Sequence, residues 1–218
     1  MPNALILGAS RGLGLGLATE LVRRKWSVTG TVRKEEDRAG LEEAGAKSAM
    51  ADITDHDSLC TLRSQVGRLD LLFVNAGISE PADFGIIDED GIGHLFMTNA
   101  VAPVRAVLTL KERLAPDGTI AFMSSRMGSV SLTMSGNKAM YRASKAALNT
   151  LTRGVLADVT TEHPVLSFHP GWVATDMGGA GADLDVATSV KGIVDVIEQR
   201  RGKPGSAFLD YTGSALAW

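Results

Sequence analysis

The 218-residue sequence has one cysteine, Cys60, so no disulfide can form within the chain and a reducing compartment is expected. No apolar run is long enough to cross a bilayer, since the longest stretch without Asp, Glu, Lys or Arg, residues 91–104, contains His94 and Asn99. The first apolar run ends at Gly8 and no basic residue precedes it, which argues against a secretory signal. These absences predict a cytoplasmic protein without a membrane partner.

An excess of charge of one sign is also absent. The 22 basic and 25 acidic residues give a formal net charge of −3. A nucleic-acid-binding surface needs an excess of lysine and arginine, so no nucleic-acid partner is expected. The histidines lack the spacing of metal ligands, so no metal site is expected either. They are His56, His94, His163 and His169.

Glycine is frequent, with 24 copies, and apolar runs of strand length alternate with stretches of helical length. The predicted strands are residues 4–7, 27–32, 46–50, 69–74, 119–124, 165–169 and 207–209. The predicted helices are residues 12–25, 35–44, 55–66, 88–114, 141–162 and 186–201. This alternation predicts an α/β fold, a single-domain Rossmann-type doubly wound parallel sheet with helices on both faces, spanning residues 1–218.

A glycine loop joins the first predicted strand to the first predicted helix. Gly8, Gly12 and Gly14 follow the pattern Gly-x-x-x-Gly-x-Gly. Such glycines let a diphosphate approach the backbone N–H groups of a helix N-terminus, where the partial positive charge favours an anion. About 0.3 matches are expected by chance in so glycine-rich a chain, so the position after the first strand gives the motif its specificity. A turn that only permits close helix packing is the alternative.

The residues after the second predicted strand indicate which dinucleotide is bound. An NAD site places an acidic residue there to accept from the ribose 2′-hydroxyl, whereas a 2′-phosphate needs cations. Here Arg33 follows the strand, with no carboxylate before Glu35, and Arg11 of the glycine loop can approach from the other side. The two arginines therefore favour NADP over NAD, with solvated surface arginines as the alternative.

Tyr141 and Lys145 stand four residues apart in a predicted helix and so share one face. Only about 0.07 such pairs are expected by chance. Carbonyl reduction needs a proton at oxygen, and an unperturbed tyrosine, with a pKa of about 10, is a poor catalyst near neutrality. A cation about 4 Å away would bring that pKa toward neutrality. The pair therefore predicts a proton donor; a packed ring beside an exposed lysine is the alternative.

With these motifs the sequence resembles the classical short-chain dehydrogenase/reductase family over nearly its whole length, and within it the C-factor-like carbonyl reductases. The further motifs that carry the resemblance are Asp52 after the third strand, Asn75-Ala76-Gly77 after the fourth, Asn99, Ser124-Ser125 and Pro170-Gly171-Trp172-Val173-x-Thr175.

The resemblance implies a role for each catalytic position. Tyr141 is expected to be the general acid in reduction, and Lys145 to bind the nicotinamide ribose and lower the pKa of the tyrosine. Ser125 is expected to hold the substrate carbonyl, with Ser124 as the alternative, and Asn99 to position a water in a proton relay. The full set of expected cofactor-binding residues is Gly8, Ser10, Arg11, Gly12, Leu13, Gly14, Arg33, Asp52, Ile53, Asn75, Ala76, Gly77, Tyr141, Lys145, Pro170, Gly171, Val173 and Thr175.

The predicted function is that of an NADPH-dependent oxidoreductase, which transfers hydride between the nicotinamide of NADP(H) and a carbonyl or alcohol substrate. An NADP(H)-binding signalling or regulatory protein on the same fold is the alternative, because a fold alone does not establish an activity. The resemblance also implies a homodimer or homotetramer, with the long predicted helices 88–114 and 141–162 at the interface.

Overall fold

The computed structural model describes residues 1–79, 85–179 and 181–218, in which strands and helices alternate along the chain. The strands of this part are β1 Asn3–Leu7, β2 Ser27–Val32, β3 Lys47–Met50, β4 Leu69–Val74, β5 Leu114–Met123, β6 Pro164–His169 and β7 Gly205–Asp210. Its α-helices are α1 Gly12–Arg23, α2 Arg38–Glu43, α3 His56–Gln65, α4 Glu89–Phe96, α5 Ala102–Leu110, α6 Ala139–Val155 and α7 Val186–Arg200.

The strands pair in parallel to form one sheet in the order β3-β2-β1-β4-β5-β6-β7. The predicted α/β fold of the Rossmann type is therefore confirmed. The order reverses at β1, which pairs with β2 on one side and with β4 on the other. In open parallel sheets a ligand crevice forms at such a switch point, outside the carboxyl ends of the strands. The topology thus locates a site beyond Leu7 and Val74.

Both faces of the sheet are covered. Ile6 of β1 belongs to a core with buried residues of α1, α2 and α7, among them Leu21 and Ile193. Leu5 and Leu7 point the other way, into a second core with residues of α3, α5 and α6. Because successive strand residues face opposite sides, strands covered on both faces are apolar almost throughout. This double coverage explains the near-continuous apolar runs in the sequence.

The predicted helix 88–114 is wrong in its extent. The structure divides it into α4, a π-helical turn over Met97–Val101, and α5, and Leu114 already belongs to β5. Pro103 explains the break, because it has no N–H to donate to the carbonyl of Asn99 four residues earlier. Among the described residues no helix is long and apolar enough to cross a membrane.

Candidate active site

A cleft lies at the carboxyl ends of the strands, and most of the predicted cofactor residues line it. Those that do are Gly8, Ser10, Arg11, Gly12, Leu13, Arg33, Asp52, Ile53, Asn75, Ala76, Gly77, Tyr141, Lys145, Pro170 and Thr175. Three predicted cofactor residues are absent from this lining: Gly14, Gly171 and Val173. Segments that are far apart in the sequence therefore meet where the strand order reverses.

The glycine turn is held by contacts to two other strand ends. Gly8 has a φ of +86°, a conformation that favours glycine, and its N–H donates to the Thr31 hydroxyl at 2.9 Å. Its carbonyl accepts from Asn75 Nδ2 at 2.7 Å. A Cβ at Gly14 would lie 2.1 Å from this carbonyl oxygen and 2.7 Å from Asn75 Nδ2. Gly14 therefore permits the packing of the turn rather than lining the cleft.

The two predicted arginines differ in their surroundings. Arg33 is exposed and lines the cleft directly after β2. Arg11 and Asp176 both line the cleft and form a salt bridge, with Arg11 Nη1 lying 2.5 Å from Asp176 Oδ2. Both partners of this ion pair are about three-quarters exposed, and such surface pairs contribute little free energy. Arg11 can therefore exchange Asp176 for another anion at small cost.

Asp52 follows β3 and closes a local turn. Its Oδ1 accepts from the backbone N–H of Thr54 at 2.8 Å and from the Thr54 hydroxyl at 2.7 Å. Burial alone would raise the pKa of the Asp52 carboxyl, but these hydrogen bonds and the charge of Arg33 outweigh it, and the pKa is lowered. Asp52 is therefore ionised and engaged with its own loop, while still lining the cleft.

Tyr141 and Lys145 lie on one face of α6 and both line the cleft. Lys145 is buried, and its Nζ donates to the Met123 carbonyl at 2.9 Å. Nζ is 5.9 Å from the centroid of the Tyr141 ring. A Cβ placed on Gly77 would lie 3.3 Å from Nζ, so the ammonium group directly borders the turn after β4.

The pKa values of this pair differ from the expectation. Burial raises the pKa of Tyr141 to about 12, although a hydrogen bond with Ser125 acts to lower it. Burial also lowers the pKa of Lys145 to about 8. The prediction that Lys145 lowers the pKa of Tyr141 is therefore wrong for this arrangement. Loss of water around the phenol has the larger effect, and it raises the pKa. At neutral pH Tyr141 is protonated and can donate.

The two candidate serines after β5 have different partners. The Ser124 hydroxyl donates to Asn149 Oδ1 at 2.7 Å, a buried contact. The Ser125 hydroxyl accepts from the Met127 N–H at 3.1 Å and forms a hydrogen bond with Tyr141. Ser125 is therefore the serine beside the tyrosine hydroxyl.

Asn99 lies in the π-helical turn and is fully buried. Its Oδ1 accepts from the Ile78 N–H at 2.8 Å, and its Nδ2 donates to the Ile78 carbonyl at 2.8 Å and to Ser144 Oγ at 3.0 Å. Ser144 Oγ in turn donates to the Tyr141 carbonyl. The amide thus links the loop after β4 to α6, and both of its N–H groups are used.

Residues 2–183 match the family model for short chain dehydrogenases. The chain belongs to the short-chain dehydrogenase/reductase family. Among solved structures, a carbonyl reductase of Pseudomonas aeruginosa PAO1 in complex with NADP is 40% identical, with a TM-score of 0.92 and full coverage of both chains. A short-chain dehydrogenase/reductase of Burkholderia multivorans with bound NADP is 38% identical, with a TM-score of 0.95, and covers 100% of this chain and 99% of its own.

A curated relative in the same family is the C-signal protein of Myxococcus xanthus. It is 36% identical over 156 residues, which is 70% of this chain and 94% of the relative. The predicted membership of the short-chain dehydrogenase/reductase family, with relatives among carbonyl reductases, is therefore confirmed.

The cleft of this short-chain dehydrogenase/reductase also contains residues that sequence reasoning did not assign to the cofactor. They are Thr31, Val32, Thr54, Ile78, Thr98, Met123, Ser124, Asp176 and Met177. Thr98 is buried, and its hydroxyl has no hydrogen-bond partner among the residues that the structure describes. In the sequence, only its position directly before Asn99 indicated that Thr98 lies near the site. Thr31 had none, because its role depends on the pairing of β1 with β2.

Proposed function

We propose that the protein is an NADPH-dependent oxidoreductase that transfers hydride between the nicotinamide of the cofactor and a carbonyl or alcohol substrate. One observation carries the proposal: Tyr141, hydrogen-bonded to Ser125, and Lys145 border the same cleft as the glycine turn. A proton donor and a dinucleotide-binding turn are therefore adjacent, as carbonyl reduction requires. The bound NADP of two solved relatives supports the choice of cofactor.

The residues of the cleft fit an NADP molecule. The first turn of α1 presents its backbone N–H groups beside Gly12, where the nearest described atom to an added Cβ would be Thr175 Cγ2 at 3.6 Å. The buried hydroxyl of Thr98 lies in the wall of the cleft and has no partner in the described part of the chain, whereas such a group normally has a hydrogen-bond partner. Arg33 is available for a 2′-phosphate, and no acidic side chain occupies the position directly after β2.

When bound, NADPH supplies the hydride, and the chain supplies binding and the proton. The Ser125 hydroxyl donates a hydrogen bond to the carbonyl oxygen of the substrate and so holds this oxygen beside Tyr141. Tyr141 transfers the proton from Oη to that oxygen as negative charge develops there. Lys145 holds the ribose next to Gly77. Both N–H groups of the Asn99 side-chain amide already donate hydrogen bonds, to the Ile78 carbonyl and to Ser144 Oγ. A relay water bound at Asn99 therefore donates a hydrogen bond to an oxygen of Asn99.

The proposal is tested by following NADPH absorbance with a panel of aldehydes and ketones. We expect turnover with at least one carbonyl, and we expect Tyr141→Phe to lose about 10²–10⁴-fold in kcat, the usual contribution of a general acid. Tyr141→Phe should still bind NADPH, as measured by fluorescence titration. Tight NADPH binding without turnover of any carbonyl would instead favour an NADP(H)-binding signalling or regulatory protein; the name of the C-signal relative refers to signalling.

We further propose that the protein forms a homo-oligomer through α4, the π-helical turn and α5. Met97, Val101 and Leu108 along this segment are large apolar side chains that are more than one-third exposed. Such a face is costly to leave in water. Size-exclusion chromatography should therefore give a dimer or tetramer, and Val101→Asp combined with Leu108→Asp should shift it to the monomer. An unchanged elution volume of the double variant would exclude this interface.

A further inference from the structure

Asn149 is a buried polar residue of α6 that makes contacts on both sides of Ser125. Its Oδ1 accepts from the Ser124 hydroxyl at 2.7 Å, and its Nδ2 donates to the Gly128 carbonyl at 3.3 Å. The Gly128 carbonyl can only accept, so the orientation of the amide follows from the two partners. One side chain thus ties the residue before Ser125 and the turn after it to the same helix.

The turn over Arg126–Gly128 lies directly on the backbone of that helix. A Cβ on Gly128 would lie 2.7–2.9 Å from the carbonyl carbon, carbonyl oxygen and Cβ of Lys145. The Met127 N–H of the same turn donates to the Ser125 hydroxyl at 3.1 Å. A shift of this turn relative to α6 would therefore move the Ser125 hydroxyl relative to the Tyr141 hydroxyl.

Residues 141, 145 and 149 are spaced by four and occupy one face of α6. They contact three successive residues at the end of β5. Tyr141 forms a hydrogen bond with Ser125, Lys145 donates to the Met123 carbonyl, and Asn149 accepts from Ser124. The first two contacts belong to the proposed chemistry, whereas Asn149 is buried and is not among the residues that line the cleft.

We propose that Asn149 is a positioning residue, which acts through Ser124 and Gly128 to hold Ser125 in register with Tyr141. This inference rests on the proposed function. An apolar side chain could fill a buried position without the desolvation cost of an amide, so a role in packing alone does not account for asparagine. The two hydrogen bonds account for it, since each satisfies a group that borders the catalytic serine.

Asn149→Leu removes both hydrogen bonds while keeping a side chain of similar shape. We expect kcat to fall by about ten- to hundredfold, the cost of a misplaced reacting group, while the Kd for NADPH stays within about twofold. Hydrogen exchange at the Met127 and Gly128 amides should become faster. The matched control is Thr152→Val, which replaces a fully buried polar residue of α6 whose hydroxyl donates within the helix, to the Leu148 carbonyl. It should leave kcat, Kd and exchange at these amides unchanged.

Ser124→Ala provides a second variant, which removes one of the two contacts and is needed if Asn149→Leu does not fold. It should lower kcat by about three- to tenfold, and combined with Asn149→Leu it should add little further loss, because both act through one link. Unchanged kcat in a folded variant, equal losses in Thr152→Val, or additive losses would overturn the proposal. If the wild-type protein reduces no carbonyl, the proposed function fails, and the exchange rates at Met127 and Gly128 still decide the role of Asn149.

Discussion

The glycine turn offers a sharp test of why Gly14 is glycine. A methyl group at this position would lie 2.1 Å from the Gly8 carbonyl oxygen and 2.7 Å from Asn75 Nδ2, whereas a carbon–oxygen contact normally needs about 3.4 Å. The turn would therefore have to move by about 1 Å. The methyl would also sit on the hydrogen bond from Asn75 to Gly8, which is 2.7 Å long.

The expected effect of Gly14→Ala combines opposing contributions. Overpacking costs about 1–3 kcal/mol and the lost hydrogen bond about 1 kcal/mol, while alanine in a helix regains about 0.5–1 kcal/mol. The free energy of unfolding should therefore fall by about 1–3 kcal/mol. Because the displaced Gly8 lines the cleft, the affinity for NADPH should fall as well.

Gly93→Ala is the matched control, since Gly93 lies in α4 and a Cβ there would have no atom of the described residues within 4 Å. It should stabilise the protein by about 0.4–1 kcal/mol and leave NADPH binding unchanged. Both variants are compared by urea denaturation and by fluorescence titration with NADPH. If Gly14→Ala is as stable as Gly93→Ala and binds NADPH with wild-type affinity, the steric reasoning is refuted.

Three other outcomes are expected. Arg33→Ala should weaken NADPH binding by about tenfold or more through loss of a charge-assisted contact, and it should leave NADH binding unchanged. The control Arg68→Ala should bind NADPH as the wild type does. Equal losses for NADPH and NADH in Arg33→Ala would contradict the 2′-phosphate role. Between pH 8 and 10.5 Lys145 is protonated in the unfolded chain but has lost its proton in the folded protein, where it is buried. The free energy of unfolding, measured by urea denaturation, should therefore rise with pH by up to about 3 kcal/mol over this range. Lys145→Met should abolish this rise. Thr98→Val should weaken NADPH binding by about three- to tenfold in calorimetric titration. Thr119→Val should not, because this buried hydroxyl also lacks a partner among the described residues but lies outside the cleft lining.

Much of the fold could be predicted because apolar periodicity is a local property. The bounds of β2 and β4 agree with the predicted strands 27–32 and 69–74. The beginning of β5 was missed, because Pro116, Asp117 and Gly118 are typical of a turn. In the structure the register between β4 and β5 shifts between Leu69 and Leu71, so this part of β5 is an irregular extension that depends on its neighbour.

The candidate site shows a similar division. The glycine loop and the Tyr141–Lys145 pair have fixed spacings, and such spacings are visible in a linear sequence. The salt bridge of Arg11 with Asp176 joins residues 165 positions apart, and no local pattern indicates it. Asn149 likewise became noticeable only when its two partners around Ser125 were known.

The sequence by itself determined the alternation of strands and helices, the glycine turn and the shared face of Tyr141 and Lys145, because each depends on residues close in the chain. Only the tertiary structure decided the electrostatics. A lysine four residues from a tyrosine suggests a lowered tyrosine pKa, yet burial raises it to about 12 and lowers that of Lys145 to about 8. The physical reason is that desolvation depends on every element packed around a group, and that environment exists only in the folded chain.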